Sequence, residues 1–216
     1  EGSTKHEFFA TEEPASLADI RQYRYGDPLK KIHWNISAKL QEIYVKNYET
    51  NAQSQILVFM ETFPFPSDGL LRYQIEDQAV ECTVSIIHYI LAKSLSAQLI
   101  IYHRQRQQIS GRSPEDFHRF YEYLAALPFN SPFSIDEILL IESSGFSKGQ
   151  SIILVIHNLN YRLFNYLCQF KQSDIHPFIL FIHPSRQVDN KHQRMIDELN
   201  KRDIPCIVVP VNERLD

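Results

Sequence analysis

Five strand-sized apolar runs separated by helical-length segments restrict the fold of this chain more than any other feature. They are Gln55–Met60, Gln98–Tyr102, Ser151–Ile156, Pro177–Ile182 and Cys206–Val209. Each is continuously apolar rather than alternating, as strands buried on both faces of a parallel sheet are. Between them lie Leu70–Ser94, Pro114–Leu127, Tyr161–Gln172 and Asn190–Arg202, long enough for the right-handed crossovers that parallel pairing requires. The pattern predicts a doubly wound α/β domain with a mainly parallel sheet over residues 51–216, preceded by an N-terminal appendage over residues 1–50.

Local signals support these elements. Ser113-Pro114-Glu115-Asp116 joins an N-cap, a first-turn proline and early acids, and Phe117, Phe120, Tyr121 and Leu124 follow at helical spacing. In the first crossover Ile75, Ala79, Cys82, Ile86, Tyr89, Ile90 and Leu91 form a wide stripe, which predicts a helix packed centrally on the sheet. Gln107–Ser110 reads as a short edge strand, and Ser134-Ile135-Asp136-Glu137 as the start of a capped short helix.

Composition narrows the function classes. The formal net charge of −4 and the lack of basic clusters argue against a nucleic-acid binder. Cys82, Cys168 and Cys206 are odd in number, widely separated and without a CxxC pair, as expected of reduced core thiols. No run reaches the roughly 18 apolar residues of a membrane span. The opening Glu1-Gly2-Ser3 reads as the start of a piece of a longer protein, itself soluble, and the first residues as an extended arm.

The segment before the first strand carries a denser pattern. Arg21-x-Tyr23-x-x-Gly26-Asp27 leads into Lys31-Ile32-His33-Trp34 and Ser37-Ala38-Lys39, and Ile43-Tyr44-Val45-Lys46-Asn47-Tyr48-Glu49 follows as a strand with one exposed face. Gly26 suits a turn, Asp27 a helix cap and Pro28 a first turn. This run resembles the signature of the bacterial domain of unknown function 58 family. The resemblance implies membrane helices and a small β-rich region upstream of the signature. It further implies a domain similar to the von Willebrand factor A fold after it, a place on the cytoplasmic face of the membrane, and an adaptor or assembly role beside a MoxR-type AAA+ ATPase. No enzymatic activity comes with it. Arg21, Tyr23, Gly26, Asp27, His33, Trp34, Ser37 and Lys39 then have two open readings: they lock the appendage onto the main domain, or they form a partner-binding surface.

The resemblance also directs attention to the end of the first main strand. Von Willebrand A-type domains hold a hard cation there with Asp-x-Ser-x-Ser and further oxygens from other loops. Here the corresponding residues are Glu61-Thr62-Phe63-Pro64-Phe65, and His157-Asn158 stands where an acid is expected after Ser151–Ile156. Phe63 and Phe65 bring no oxygen ligand, so Glu61, Thr62, Phe63, Phe65, His157 and Asn158 read as the positions of a degenerate metal site, with no metal or other cofactor expected. A competing arrangement is a zinc-like site from Glu61, His157 and His183, with His103 on the same sheet edge.

The leading expectation is a non-catalytic protein-interaction domain. An α/β hydrolytic or nucleotide-dependent enzyme is the first alternative, and it lacks a GxGxxG or GxxxxGKS loop and a GxSxG elbow. A metal-dependent adhesion domain is the second, opposed by the altered strand end and the free cysteines.

Overall fold

The structure, a computed structural model, describes residues 17–23, 37, 41–48, 55–67 and 69–211. The chain divides into two compact units, Glu1–Ala52 and Gln53–Asp216.

The larger unit is built on a six-stranded, mostly parallel sheet. Its strands are β3 (Gln55–Met60), β4 (Ser96–Tyr102), β5 (Arg106–Gly111), β6 (Ser151–Ile156), β7 (His176–His183) and β8 (Cys206–Pro210), in the spatial order β5-β4-β3-β6-β7-β8. Only β5 runs antiparallel, folding back on β4 as a hairpin with Tyr102 opposite Arg106. The central strands are buried along nearly their whole length, which is why they carry unbroken apolar runs. From β3 the chain moves first to β4 and later to β6 on the opposite side, so strand order reverses at the carboxyl ends of β3 and β6. Open α/β sheets place their clefts at such a reversal.

Helices cover both faces, as the doubly wound reading requires. α1 (Leu70–Ala92) lies against β3, β4, β6 and β7, and α2 (Phe117–Ala125) packs beside it. On the other face α3 (Ile135–Glu142), α4 (Tyr161–Gln172) and α5 (Asn190–Lys201) follow one another. Their Leu139, Leu163, Leu167 and Leu199 share a core with Leu57, Phe59, Leu154 and Phe181 of the strands. Burial of each such side chain contributes about 1.5–3 kcal/mol.

The three crossover helices end alike. Ser94, Asp174 and Asp203 each take positive φ, near 56°, 61° and 55°. The next residue donates its N–H back into the last helical turn, Leu95 to Ile90, Ile175 to Phe170 and Ile204 to Leu199. These are Schellman closures with an apolar residue after the left-handed position, and each leads directly into a strand.

Some side chains differ from the sequence-based expectation. In α1 the buried set is Ile75, Gln78, Ala79, Cys82, Thr83, Ile87, Ile90 and Leu91; Ile86 is half-buried and Tyr89 is exposed. An amphipathic stripe does not separate the central core line from its flanks, and Thr83 joins the core by donating its hydroxyl to the Ala79 carbonyl at 2.8 Å. Tyr121 of α2 is exposed beside the buried Phe120 and Leu124. Cys82 and Cys206 are buried and Cys168 half-buried, all as free thiols. Burial pushes the Cys82 thiol up to about 11 and the Cys206 thiol up to about 12. Among the described residues no helix is long and apolar enough to cross a membrane.

In the smaller unit β1 (Leu17–Gln22) pairs antiparallel with β2 (Tyr44–Tyr48). β1 lacks a clean period-two pattern in sequence, and its pairing shifts register between Leu17 and Asp19. Tyr23 N–H donates to the Ile43 carbonyl at 2.7 Å, and the Ser37 hydroxyl accepts from Tyr44 N–H at 2.9 Å. Of the other signature residues, Gly26, Asp27, His33, Trp34 and Lys39 lie outside the described residues, and Arg21 is described by its backbone in β1.

Candidate functional site

The carboxyl ends of β3 and β6 bring Glu61 and His157 together at the strand-order reversal. Glu61 N–H still belongs to the sheet ladder, donating to the Val155 carbonyl at 2.9 Å. The side chain turns inward and is fully buried, and its Oε2 accepts from the backbone N–H groups of His157 (2.9 Å) and Asn158 (3.1 Å). Burial pushes this carboxyl above its ordinary value, against the opposing influence of His157 and the amides of His157, Asn158 and Ile135.

The His157 ring is held from two sides. Its Nε2 lies 2.8 Å from the Phe63 carbonyl oxygen and so donates, which leaves Nδ1 facing Glu61 Oε2 at 3.7 Å. The Phe65 ring meets the imidazole edge-to-face at 5.4 Å. Glu61 Oε1 and His157 Nδ1 are the buried side-chain polar atoms without a hydrogen-bond partner among the described residues.

Thr62 ties the neighbouring loops to the same point. Its hydroxyl donates to the Tyr102 carbonyl at the end of β4 at 2.6 Å, and its own carbonyl accepts from Ser131 N–H at 3.0 Å. The loops after β3, β4, β6 and α2 are thereby joined through the side chains of Glu61 and Thr62 and the Thr62 carbonyl.

The profile of the family described as "Protein of unknown function DUF58" matches residues 19–130, from β1 past the end of α2. The chain belongs to this family. The DUF58 match therefore includes Glu61 and Thr62 and stops before His157. No curated protein matches the sequence. Among solved structures the chain is similar to an aerotolerance-related membrane protein from Bacteroides fragilis NCTC 9343 carrying multiple mutations to serines. The identity is 11% and the TM-score 0.48, with 74% of this chain and 92% of that chain covered. It is also similar to proximal thread matrix protein 1 from the mussel byssus, at 9% identity and a TM-score of 0.45. That comparison covers 73% of this chain and 43% of the mussel chain, so the DUF58 chain spans less than half of the latter.

The other sequence-derived ligand candidates do not join Glu61 and His157. His103 Nδ1 bonds to the Asn130 side chain, and His183 Nδ1 lies 2.7 Å from the Ser185 carbonyl oxygen with its ring beside Phe181 and His192. Among the described residues no group of three or more His, Cys, Asp or Glu side chains is placed to hold a metal ion. The zinc-like arrangement of Glu61, His157 and His183 is therefore not assembled: His157 is bonded to the loop after β3, His103 to the segment after α2, and His183 to its own loop. Phe63 contributes its backbone carbonyl to His157, a role that a side-chain inventory does not reveal.

Two polar clusters of this DUF58 chain lie beyond the matched residues or reach beyond them, and sequence spacing does not announce them. Asp136, buried in the first turn of α3, lies 3.3 Å from Arg162 Nη1 and accepts from Asn160 Nδ2 at 3.3 Å. Asn160 also caps α4 by accepting from Leu163 N–H, so the starts of α3 and α4 are tied together. On the sheet edge Glu142 accepts from both Tyr102 and Arg106 at 2.6 Å; burial first, and then this carboxylate, hold the Tyr102 phenol up at about 12. The available signals were the Asn160 cap and the acidic first turn of α3; sequence spacing carries no sign that they meet.

Proposed function

We propose that the chain is a non-catalytic protein-interaction or assembly domain of a membrane-associated protein, acting at the cytoplasmic face with a MoxR-type AAA+ ATPase. The observation that carries this reading is the inward turn of Glu61. In a von Willebrand A-like domain this strand end would direct oxygen ligands outward to a cation. Here the carboxyl group is engaged by the amides of His157 and Asn158, the Phe65 ring packs edge-to-face on the imidazole, and the Phe63 carbonyl accepts from its Nε2. A strand end stitched in this way serves as a fixed platform for its loops, which suits recognition of a partner better than turnover of a substrate. The membrane setting and the ATPase come from the family resemblance of the Arg21–Glu49 signature.

The test is capture of a MoxR-type ATPase encoded beside the gene by the intact, detergent-solubilised protein, with Trp34→Ala and Arg21→Ala variants in parallel. Capture that the folded variants lose supports the reading and places the contact in the signature. Capture retained by both moves the contact elsewhere. Failure of the intact protein to bind the ATPase in any nucleotide state overturns the partnership.

A further inference from the structure

Between α1, α2 and the segment following α2 lies a cleft of about 450 Å³. Its apolar wall comes from Val80 and Val84 of α1, Leu124 of α2, and Phe129. Asp77 and Glu81, both exposed, stand along the α1 rim one helical turn apart. Glu76 also lines the cleft, but it is paired with Arg72 at 2.7 Å, whose Nη2 holds the Phe129 carbonyl at 3.3 Å. That bridge fixes the wall and leaves Asp77 and Glu81 without an ion pair among the described residues. The lining contains three acids and no Lys or Arg.

We propose that this cleft is a docking groove for a basic amphipathic helix of a partner protein, an inference that rests on the interaction reading above and adds a second surface to it. No strand edge lines the groove, so its occupant is recognised by side chains rather than by added β-pairing. An apolar trough between two helices receives the apolar face of a third, anchored by residues three and four apart. The acidic rim selects Lys or Arg along the flank of that helix. The same rim disfavours two other occupants: a second copy docked groove to groove would oppose Asp77 and Glu81 to themselves, and an anionic lipid surface would be repelled.

The test uses the 216-residue chain and fluorescence anisotropy of labelled helical peptides. One peptide has Leu at i, i+3, i+4 and i+7 with Lys flanks; a second has Glu flanks; a third scrambles the first. The expected result is binding of the Lys-flanked helix alone. Its affinity should weaken about tenfold or more in the Asp77→Lys/Glu81→Lys variant, with a gain for the Glu-flanked peptide. Val84→Asp should abolish binding. Because Val84 is half-buried, circular dichroism checks that variant, while the exposed charge swap tests the groove without touching its wall. The proposal is overturned by no binding of the Lys-flanked helix, by equal binding of the scramble, or by affinities that neither variant changes. Preferential binding to phosphatidylglycerol vesicles, or self-association lost in Val84→Asp, overturns it in favour of those occupants. The ATPase is absent from this experiment, so failure here leaves ATPase capture to be judged separately, and the reverse.

Discussion

Glu61 and His157 meet twice across the central strand pair: the carboxylate accepts the backbone N–H of His157 at 2.9 Å, and the His157 Nδ1 faces the same oxygen at 3.7 Å. Since Nε2 donates to the Phe63 carbonyl, Nδ1 of a neutral ring is a lone pair pointing at an acid. A proton on the carboxyl relieves that opposition, and burial of Glu61 favours that form.

Replacement of Glu61 follows from this geometry. Glu61→Ala leaves the amides of His157 and Asn158 without their acceptor and should cost about 2–3 kcal/mol. Glu61→Gln keeps a carbonyl oxygen for them and should cost about 1 kcal/mol. Urea unfolding of the two variants measures both, and an Ala variant no less stable than the Gln variant would show that the carboxylate does not organise the loops.

The pH dependence of the same residue has a defined sign. A carboxyl raised above its ordinary 4.5 holds its proton more tightly folded than unfolded. Its contribution is complete below 4.5 and is lost as pH rises through the folded value. The stability difference between the wild-type chain and Glu61→Gln should therefore shrink as pH rises above 4.5, with a slope no steeper than about 1.4 kcal/mol per pH unit. Chemical unfolding at several pH values reads this directly. A difference that grows with pH would mean that the group is held ionised against His157 instead.

The helix closures yield a stabilising substitution. Asp203 sits at φ 55° between α5 and β8, a conformation that costs a side chain about 1–2 kcal/mol and costs glycine almost nothing. After the entropy that glycine loses on folding, Asp203→Gly should gain about 0.5 kcal/mol. Asp203→Ala, without the polar side chain that tolerates this region, should lose about as much. Thermal unfolding distinguishes the two, and the reverse order would place the strain elsewhere.

How far the sequence reveals the structure depends on whether a contact is local or across the chain. Unbroken apolar runs mark β3 and β6 because burial on both faces leaves no polar alternation, and β7 keeps such a run although Phe178 and Leu180 are half-buried. The Ser134–Glu137 cap is equally visible, since its partners are three residues apart. The closures at Ser94, Asp174 and Asp203 lack the usual glycine, yet a polar residue followed by Leu or Ile carries the same information in this chain. At the strand end, the neighbouring positions of Glu61 and His157 followed from sheet order. The inward turn of the carboxylate did not, because it depends on amides nearly a hundred residues away, separated by 96 and 97 positions. The dispersal of His103 to Asn130 and of His183 into its own loop is likewise a matter of loop geometry.

Gly111 provides a last test, this time of packing where the β4–β5 hairpin meets α2. A Cβ at this position would lie 2.7 Å from both Asp116 Cβ and Phe120 Cε2. Neither neighbour yields easily: Asp116 accepts from the backbone N–H groups of Arg112 and Ser113 at 2.8 and 3.0 Å, and Phe120 is fully buried. Gly111→Ala should destabilise by about 1–3 kcal/mol through overpacking. Gly145→Ala is the matched control, because its Cβ would meet nothing within 4 Å, and it should leave stability nearly unchanged. Equal effects of the two substitutions in urea unfolding would exclude close packing as the reason for glycine at 111, whereas the expected contrast ties the antiparallel edge strand to the helix that covers it.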